Sequence, residues 1–354
     1  MKIFNFQEFL NESATLEYIF RDEDGKQILP KDFRKVQLLI DSYDYETDYS
    51  FKFIIGHSIY KVISPVNRKE IDPELPILNF AMNSTVQEML DKGVIKKENL
   101  YNHPKDKTIS VSKKRFHQTM GNQSYIPKTV FEVKDALKLE FPVIAKPAVG
   151  HSGIGITKFN TPAELKAYKD LDSFQLFSEA ISIENEIRVV YFKDEVVAFM
   201  LREPSDEKSK FLQGKAKSMG SEKASSKLDF VYHICLPEEI NYLPDFQFTG
   251  IDSMSELKGI IASIRKKIPL EFLTLDIAID NKRKPWIIEI NTEPGISGVM
   301  MANVYDAIFR DFYNRELDSS SKKCLEEIEL KLIGFTLQHD KYVLSPKFIQ
   351  KYIG

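Results

Sequence analysis

The sequence predicts an α/β protein of layered sheets and helices, and three patterns carry that prediction. Phe272 to Asp280 (FLTLDIAID) and Pro285 to Asn291 (PWIIEIN) alternate apolar and polar residues around a polar turn. A period of two is the mark of paired strands. The run Phe141 to Pro147 (FPVIAKP) reads as a buried strand that stops at a glycine-rich stretch, GHSGIGI. Thr161-Pro162-Ala163-Glu164 and Ser253-x-x-Glu256 are capping boxes, so helices start there, between the strand signals.

The elements follow in chain order. Residues 1–12, MKIFNFQEFLNE, read as a short amphipathic leader. Residues 13–110 are expected to form a small α/β domain. In it FKFIIGHSIYKVIS supplies strands and STVQEMLDKGV a helix. A second unit, 111–178, opens with a helix through Lys113, Arg115, Gln118 and Met120 that ends near Gly121. YIPKTV then leads into a strand and VKDALKLE into a helix, before the FPVIAKP strand and its glycine loop. A third unit, 179–304, begins with EIRVVYF and EVVAFMLR, two strands around a turn at Lys193-Asp194. After the second capping box, Leu257, Ile260, Ile261 and Ile264 keep the spacing of a one-sided apolar helix. That helix delivers the chain to the 272–291 hairpin. Residues 305–354 read as a helical extension with a lysine-bearing tail.

Composition narrows the function. The chain has 354 residues, enough for two or three domains with a substantial core. Its formal net charge of −3 offers no basic surplus to make nucleic acid the main partner. No apolar run approaches the length of a membrane span and no signal-peptide core stands at the N-terminus, so no membrane partner is expected. The two cysteines, Cys235 and Cys324, lie far apart, which fits a reducing, cytoplasmic compartment. The six histidines form no zinc-type spacing.

The hairpin holds the sharpest chemistry. With a loop of Asn281 to Lys284 and symmetric pairing, Asp280 faces Pro285 and Asp276 falls opposite Glu289. Asn291 then lies two residues along the same face. Two carboxylates facing across a ladder repel. A divalent cation between them resolves the conflict, and an oxygen-only set of Asp276, Glu289 and Asn291 suits Mg²⁺ or Mn²⁺ shared with a substrate's phosphates. The residues alone also fit a solvent-facing polar strand.

Upstream, the loop Gly150-His151-Ser152-Gly153-Ile154-Gly155 lets backbone N–H groups approach phosphate oxygens, although a plain turn would use the same glycines. Lys146 ends an apolar run, where its ammonium needs an anion or a path to water. Ser178 to Ile181, with Glu179 and Ala180, could offer backbone groups to an adenine edge, and Glu186 could accept from ribose hydroxyls. Both glutamates equally suit a surface. Arg202, after VVAFML, suits a carboxylate or acyl-phosphate partner held by two parallel hydrogen bonds.

The order of these features resembles the ATP-grasp carboxylate–amine ligases. Within them it resembles the ribosomal-protein glutamate ligase branch, and D-alanine–D-alanine ligases share the Asn-Thr-x-Pro-Gly turn. The resemblance runs from about Asn102 to Val304. It rests on KKRFHQTM, VIAKP, GHSGIGI, SEAISIENEIRVV, DEVVAFMLR, DIAID and EINTEPG. It implies an ATP-grasp fold with an additional N-terminal α/β domain. Residues 111–178 would be the lid subdomain and 179–304 the subdomain bearing the metal site. It further implies ATP gripped by Lys113 (with Lys114 as fallback), Lys146 and the 150–155 backbone. Mg²⁺ would sit at Asp276, Glu289 and Asn291, with Arg202 at the reacting carbonyl. The implied reaction joins a carboxylate (amino acid, peptide or protein) to an amine through an acyl phosphate. The family pattern is broken after Arg202, where PSDEKSKFLQGKAKSMG is longer and richer in lysine, and over the first hundred residues.

The opening MKIFNFQEFLNE-SA resembles the capsid-targeting leaders of T-even-like phage internal proteins, cut after Leu/Ile-x-Glu; here Leu10-Asn11-Glu12 precedes Ser13. That resemblance implies packaging in a virion and action in the host cytoplasm; an ordinary amphipathic helix is the alternative. Two other functions compete with the ligase. One is an ATP-grasp kinase of a small phosphorylated substrate, with a basic pocket of Lys208, Lys210, Lys215 and Lys217. The other is a nucleotide-binding module without catalysis.

Overall fold

A computed structural model of the chain describes residues 33–40, 59–149, 155–204, 230–235, 237, 254–282, 284–293, 298–337 and 342–344. These residues form three sheets. The first is parallel, in the order β2-β1-β3-β4, from β1 (Val36–Ile40), β2 (Tyr60–Ile63), β3 (Ile77–Phe80) and β4 (Leu100–Tyr101). Every residue of β1, VQLLI, is buried, as in a parallel strand covered on both faces. Leu39 packs with Val86 and Met89 of α1 (Asn83–Asp91), while Leu38 and Ile40 face the rest of the molecule.

The second sheet is small and antiparallel. Its order is β5-β8-β6-β7, from β5 (Thr129–Val130), β6 (Val143–Lys146), β7 (Thr157–Phe159) and β8 (Leu176–Glu179). The capping box at Thr161 starts α5 (Pro162–Ala167): Thr161 Oγ1 accepts from the Glu164 N–H at 3.2 Å. Strand β6 alternates buried and half-buried residues, so Val143 and Ala145 enter the core while Lys146 turns to the other face. The sequence reading of a strand buried throughout is corrected there. The VKDALKLE helix is only one turn, α4 (Val133–Ala136).

The third sheet is the frame of the molecule. Its order is β13-β12-β9-β10-β11-β14. The strands are β9 (Ile183–Phe192), β10 (Glu195–Pro204), β11 (Phe230–Cys235), β12 (Phe272–Asp280), β13 (Pro285–Asn291) and β14 (Tyr342–Leu344). Strand β14 pairs parallel with β11 and lies in the segment expected to be a helical extension with a lysine-bearing tail. Helix α6 (Met254–Arg265) buries Leu257, Ile260, Ile261 and Ile264 against Leu273, Leu275, Ile277 and Ile279 of β12. The apolar stripe read from the sequence is the one that packs.

The opposite face is only partly covered. At one end Phe272, Val190, Phe192, Ala198 and Met200 join Met301, Val304, Tyr305 and Ile308 of α7 (Gly298–Tyr313) and Val36, Leu38 and Ile40 of β1 in one core. Helix α7 begins before Tyr305, where the extension was expected, and α8 (Ser319–Leu337) follows. Asn102 fastens this end. It sits at φ 61°, a left-handed conformation that Asn tolerates. Its amide donates to Phe272 O at 2.7 Å and accepts from Phe272 N at 3.0 Å, while its own N–H reaches Glu271 Oε2 at 2.9 Å. At the other end of the same face lie Glu186, Arg188, Asp276, Glu289 and Asn291, all half-buried.

The hairpin corrects one register and keeps another. Asp276 pairs with Glu289, as expected, but Ile279 rather than Asp280 pairs with Pro285. A bulge between Asp276 and Ile277 absorbs the difference, so Ile287 and Ile290 both face the core while Glu289 and Asn291 face away. Asp280 closes the turn instead. Its carboxylate accepts from the Lys282 and Lys284 N–H groups and from the Trp286 indole at 2.8–2.9 Å.

Candidate active site

The site forms where β12, β13 and β9 meet α3 (Lys113–Met120). Ser112 caps this helix by accepting from the Arg115 N–H at 3.3 Å, and Gly121, at φ 63°, ends it. The cap fixes Lys113 as the first helical residue, with Lys114 and Arg115 behind it. Three cations in a first turn oppose the helix dipole. The Lys113 N–H also donates to Ala148 O at 2.8 Å, tying the helix start to the segment after Lys146.

Two basic side chains meet the facing carboxylates. Arg188, directly across from Asp276 on β9, grips both its oxygens at 2.7 and 2.9 Å. Lys113 Nζ stands 3.3 Å from Glu289 Oε2. The repulsion that the sequence argument assigned to a missing divalent ion is therefore relieved by protein cations. Arg188 appears in the EIRVV motif but had no role assigned. A basic residue at an alternate position of an otherwise apolar strand was the available hint; the Asp276 partner comes from the β9–β12 register. Asn291 Oδ1 accepts from the Glu293 N–H at 2.8 Å, which orients its amide.

The donor set suits a hard cation. Among the described residues, no cluster of three or more His, Cys, Asp or Glu side chains is positioned to hold a metal ion. A cation here would rest on two carboxylates and an amide oxygen, with other ligands from phosphates, which is a magnesium-type arrangement. No sulfur or imidazole stands among the three.

Lys146 lies on the half-buried face of β6, and its charge reaches His117 on α3. His117 is 4% exposed, and neither ring nitrogen has a hydrogen-bond partner among the described residues. Burial first, and the Lys146 ammonium second, push its imidazole down to about 3, so it is neutral. Lys114, the fallback lysine, instead lies 5.8 Å from the Phe131 ring centre.

The hinge is more tied than the sequence suggested. The Glu179 and Ala180 N–H groups donate to Lys128 O and Pro142 O at 3.0 and 2.9 Å. The Glu179 carboxylate accepts from the Glu140 N–H and pairs with Lys128. Among the described residues, Ile181 makes no such backbone bond. Those two N–H groups are spent within the protein, which leaves the carbonyls of the segment and the Ile181 N–H as the backbone groups it could offer to a base. Glu186 pairs across strands with Ala278 and with Arg202, whose strand continues to Pro204. Gly155, at φ 74°, ends the glycine loop, and a Cβ there would sit 3.2 Å from Pro147. Gly150, His151, Ser152, Gly153 and Ile154 lie outside the described residues, as do Lys208, Lys210, Lys215, Lys217 and the 1–12 leader. Among the described residues, no helix is long and apolar enough to cross a membrane.

Comparison with known proteins adds to this geometry. Residues 260–324, which carry the hairpin and all of α7, match the model of the Tubulin-tyrosine ligase family. A D-alanine–D-alanine ligase of Buchnera aphidicola is 29% identical over 171 residues, 47% of this chain and 48% of that protein. The chain thus spans about half the length of the curated relative it matches. The structure superposes on the D-alanine–D-alanine ligase of Bacillus anthracis with a TM-score of 0.53 at 13% identity, covering 83% of this chain and 99% of that one. It superposes on the VanG D-Ala:D-Ser ligase of Enterococcus faecalis with a TM-score of 0.50 at 16% identity, covering 85% and 98%. At such identities the likeness shows the fold.

Proposed function

We propose that this protein, whose fold is that of the ATP-grasp ligases akin to D-alanine–D-alanine ligase, forms an amide bond between a carboxylate and an amine with release of ADP. The observation that carries the reading is the convergence of Lys113 on Glu289, opposite Asp276, at the charged, half-buried end of the sheet face. An isolated strand face has no need of a helix-borne lysine, and a helix start with three cations is an anion seat.

In this reading Lys113 and Lys146 hold the triphosphate, and the 150–155 backbone covers it. Ile181 and Glu186 lie toward the nucleoside. Asp276, Glu289 and Asn291 would hold magnesium, which would supply positive charge to offset that of the phosphates. Lys113 then exchanges its contact with Glu289 for one with phosphate, and Arg188 keeps Asp276 oriented throughout. A substrate carboxylate oxygen attacks the γ-phosphorus as the bond to ADP breaks, giving an acyl phosphate. The amine lone pair then attacks the acyl carbon, the nitrogen loses a proton and phosphate departs. Positioning and charge neutralisation carry the first step. Arg202 would stabilise the acyl phosphate and the tetrahedral species after it. The loop excludes water, because acyl phosphates hydrolyse.

The finer resemblances make the ribosomal-protein glutamate ligase branch the source of a substrate hypothesis: an amino acid joined to a peptide or protein. The leader resemblance adds a phage-packaged enzyme. A screen of amino acids and lysate proteins, reading ADP release and product mass, tests the activity. Amide product is expected; ADP release with a phosphorylated hydroxyl would select the kinase instead. Arg202→Ala should lower amide formation more than nucleotide binding, and equal losses would remove its role.

A further inference from the structure

Lys107 has no part in the chemistry above, yet among the described residues it is the most deeply buried charge, at 1% exposure. It belongs to the short helix α2 (Pro104–Ser110), wedged between the end of β3 and the turn after β13. Its ammonium donates to Ala81 O at 3.0 Å, Asn79 O at 3.4 Å and Glu293 Oε1 at 2.7 Å. A long lysine side chain ordinarily carries its charge to water. Burying it is costly unless an opposite charge and further acceptors meet it. Glu293, whose side chain is 45% exposed, supplies that charge from the rim of the site.

The same helix grips the turn a second time, since Ser110 Oγ lies 3.1 Å from Thr292 Oγ1. Thr292 and Glu293 directly follow Asn291, and the Glu293 N–H holds Asn291 Oδ1. A chain of contacts therefore runs from Lys107 through Glu293 to one of the three oxygen donors.

We propose that Lys107 is a positioning residue for the metal–nucleotide site, its buried ammonium anchoring Glu293 and thereby fixing Asn291 for the cation. The proposal rests on the functional reading above. Partners that orient ligands without touching the metal typically change its affinity by about 10–100-fold.

The test uses the full chain with ADP and Mn²⁺, with free Mn²⁺ measured by electron paramagnetic resonance. Lys107→Met and Glu293→Gln should each weaken Mn²⁺ binding about tenfold, and the double variant should be no weaker than the worse single. ADP binding without metal should stay unchanged in Glu293→Gln. If Lys107→Met fails to fold by circular dichroism, Glu293→Gln carries the test, because its side chain is half in water. Mn²⁺ affinity in Glu293→Gln equal to or above wild type, or losses that add in the double variant, would overturn the proposal. Glu289→Gln separates the two levels. Wild-type Mn²⁺ binding in that variant sinks the site itself, whereas its loss beside an unaffected Glu293→Gln sinks only the role of Lys107.

Discussion

The two ends of one sheet face obey different rules. Around Phe272 the face is sealed by apolar side chains from α7 and β1, and the Phe272 N–H and C=O are both engaged by Asn102. Around Asp276, four residues further along the same strand, the described neighbours are charged rather than apolar, and Asp276 and Arg188 are about a quarter exposed. Burial and complete hydrogen bonding make the first end a source of stability. The second keeps its charges balanced by neighbours that can be exchanged, which is what a binding site for an anionic ligand needs. Stability and chemistry are thus separated by a single turn of register on β12.

Mutations can test that separation. The largest effect is expected at the open end: Glu289→Gln or Lys146→Ala should reduce ATP turnover by more than about a hundredfold, with the melting temperature nearly unchanged. Turnover at the wild-type rate in either would erase the distinction. At the sealed end, Asn102→Ala leaves the Phe272 N–H and C=O without their side-chain partner and puts a less tolerant residue at positive φ. Urea melts should show a loss of about 2–4 kcal/mol, with nucleotide affinity retained in the folded fraction.

Arg188→Met probes the boundary. It strips the Asp276 carboxylate of two charge-assisted bonds while keeping much of the side-chain volume. Because both groups are about a quarter exposed, the expected loss is only about 1–2 kcal/mol, and nucleotide binding should fall with it. Loss of stability without loss of binding would assign Arg188 to the sealed end.

The smallest effect concerns His117. Its imidazole is held down at about 3 in the fold, whereas the unfolded chain titrates near ~6.5. Below that value the unfolded state binds a proton that the native state refuses. Stability from this group is therefore complete above pH ~6.5 and drains as pH falls toward 3, by up to about 1.4 kcal/mol per unit. Comparing urea melts of wild type and His117→Leu from pH 8 to 5 should show a flatter profile in the variant. Parallel profiles would remove His117 as the cause.

Much of this was legible in the chain. The α6 stripe, the α3 helix with its glycine stop, the hairpin and the Asp276–Glu289 pairing all follow from periodicity and caps, which are local. The bulge was not, because it depends on how two strands settle against a shared core. Nor was the shortness of VKDALKLE as a helix, whose sequence propensity is overridden by the turn into β6. β14 escaped because three residues carry too little period to separate strand from coil. Lys107 and Asn102 gave no signal at all: each is an ordinary polar residue whose importance lies in partners over 150 positions away.

The Asn102 clamp also decides which parts can move. Three hydrogen bonds hold Asn102 to Glu271 and Phe272 at the start of β12, and a shared apolar core joins β1 to the same sheet, which couples the parallel sheet to the frame. On the proposed function, a movement that closes the site over a nucleotide would belong to the four-stranded layer that carries Lys146. Its swing would be read by comparing spin-label distances between residues 166 and 258 with and without ADP.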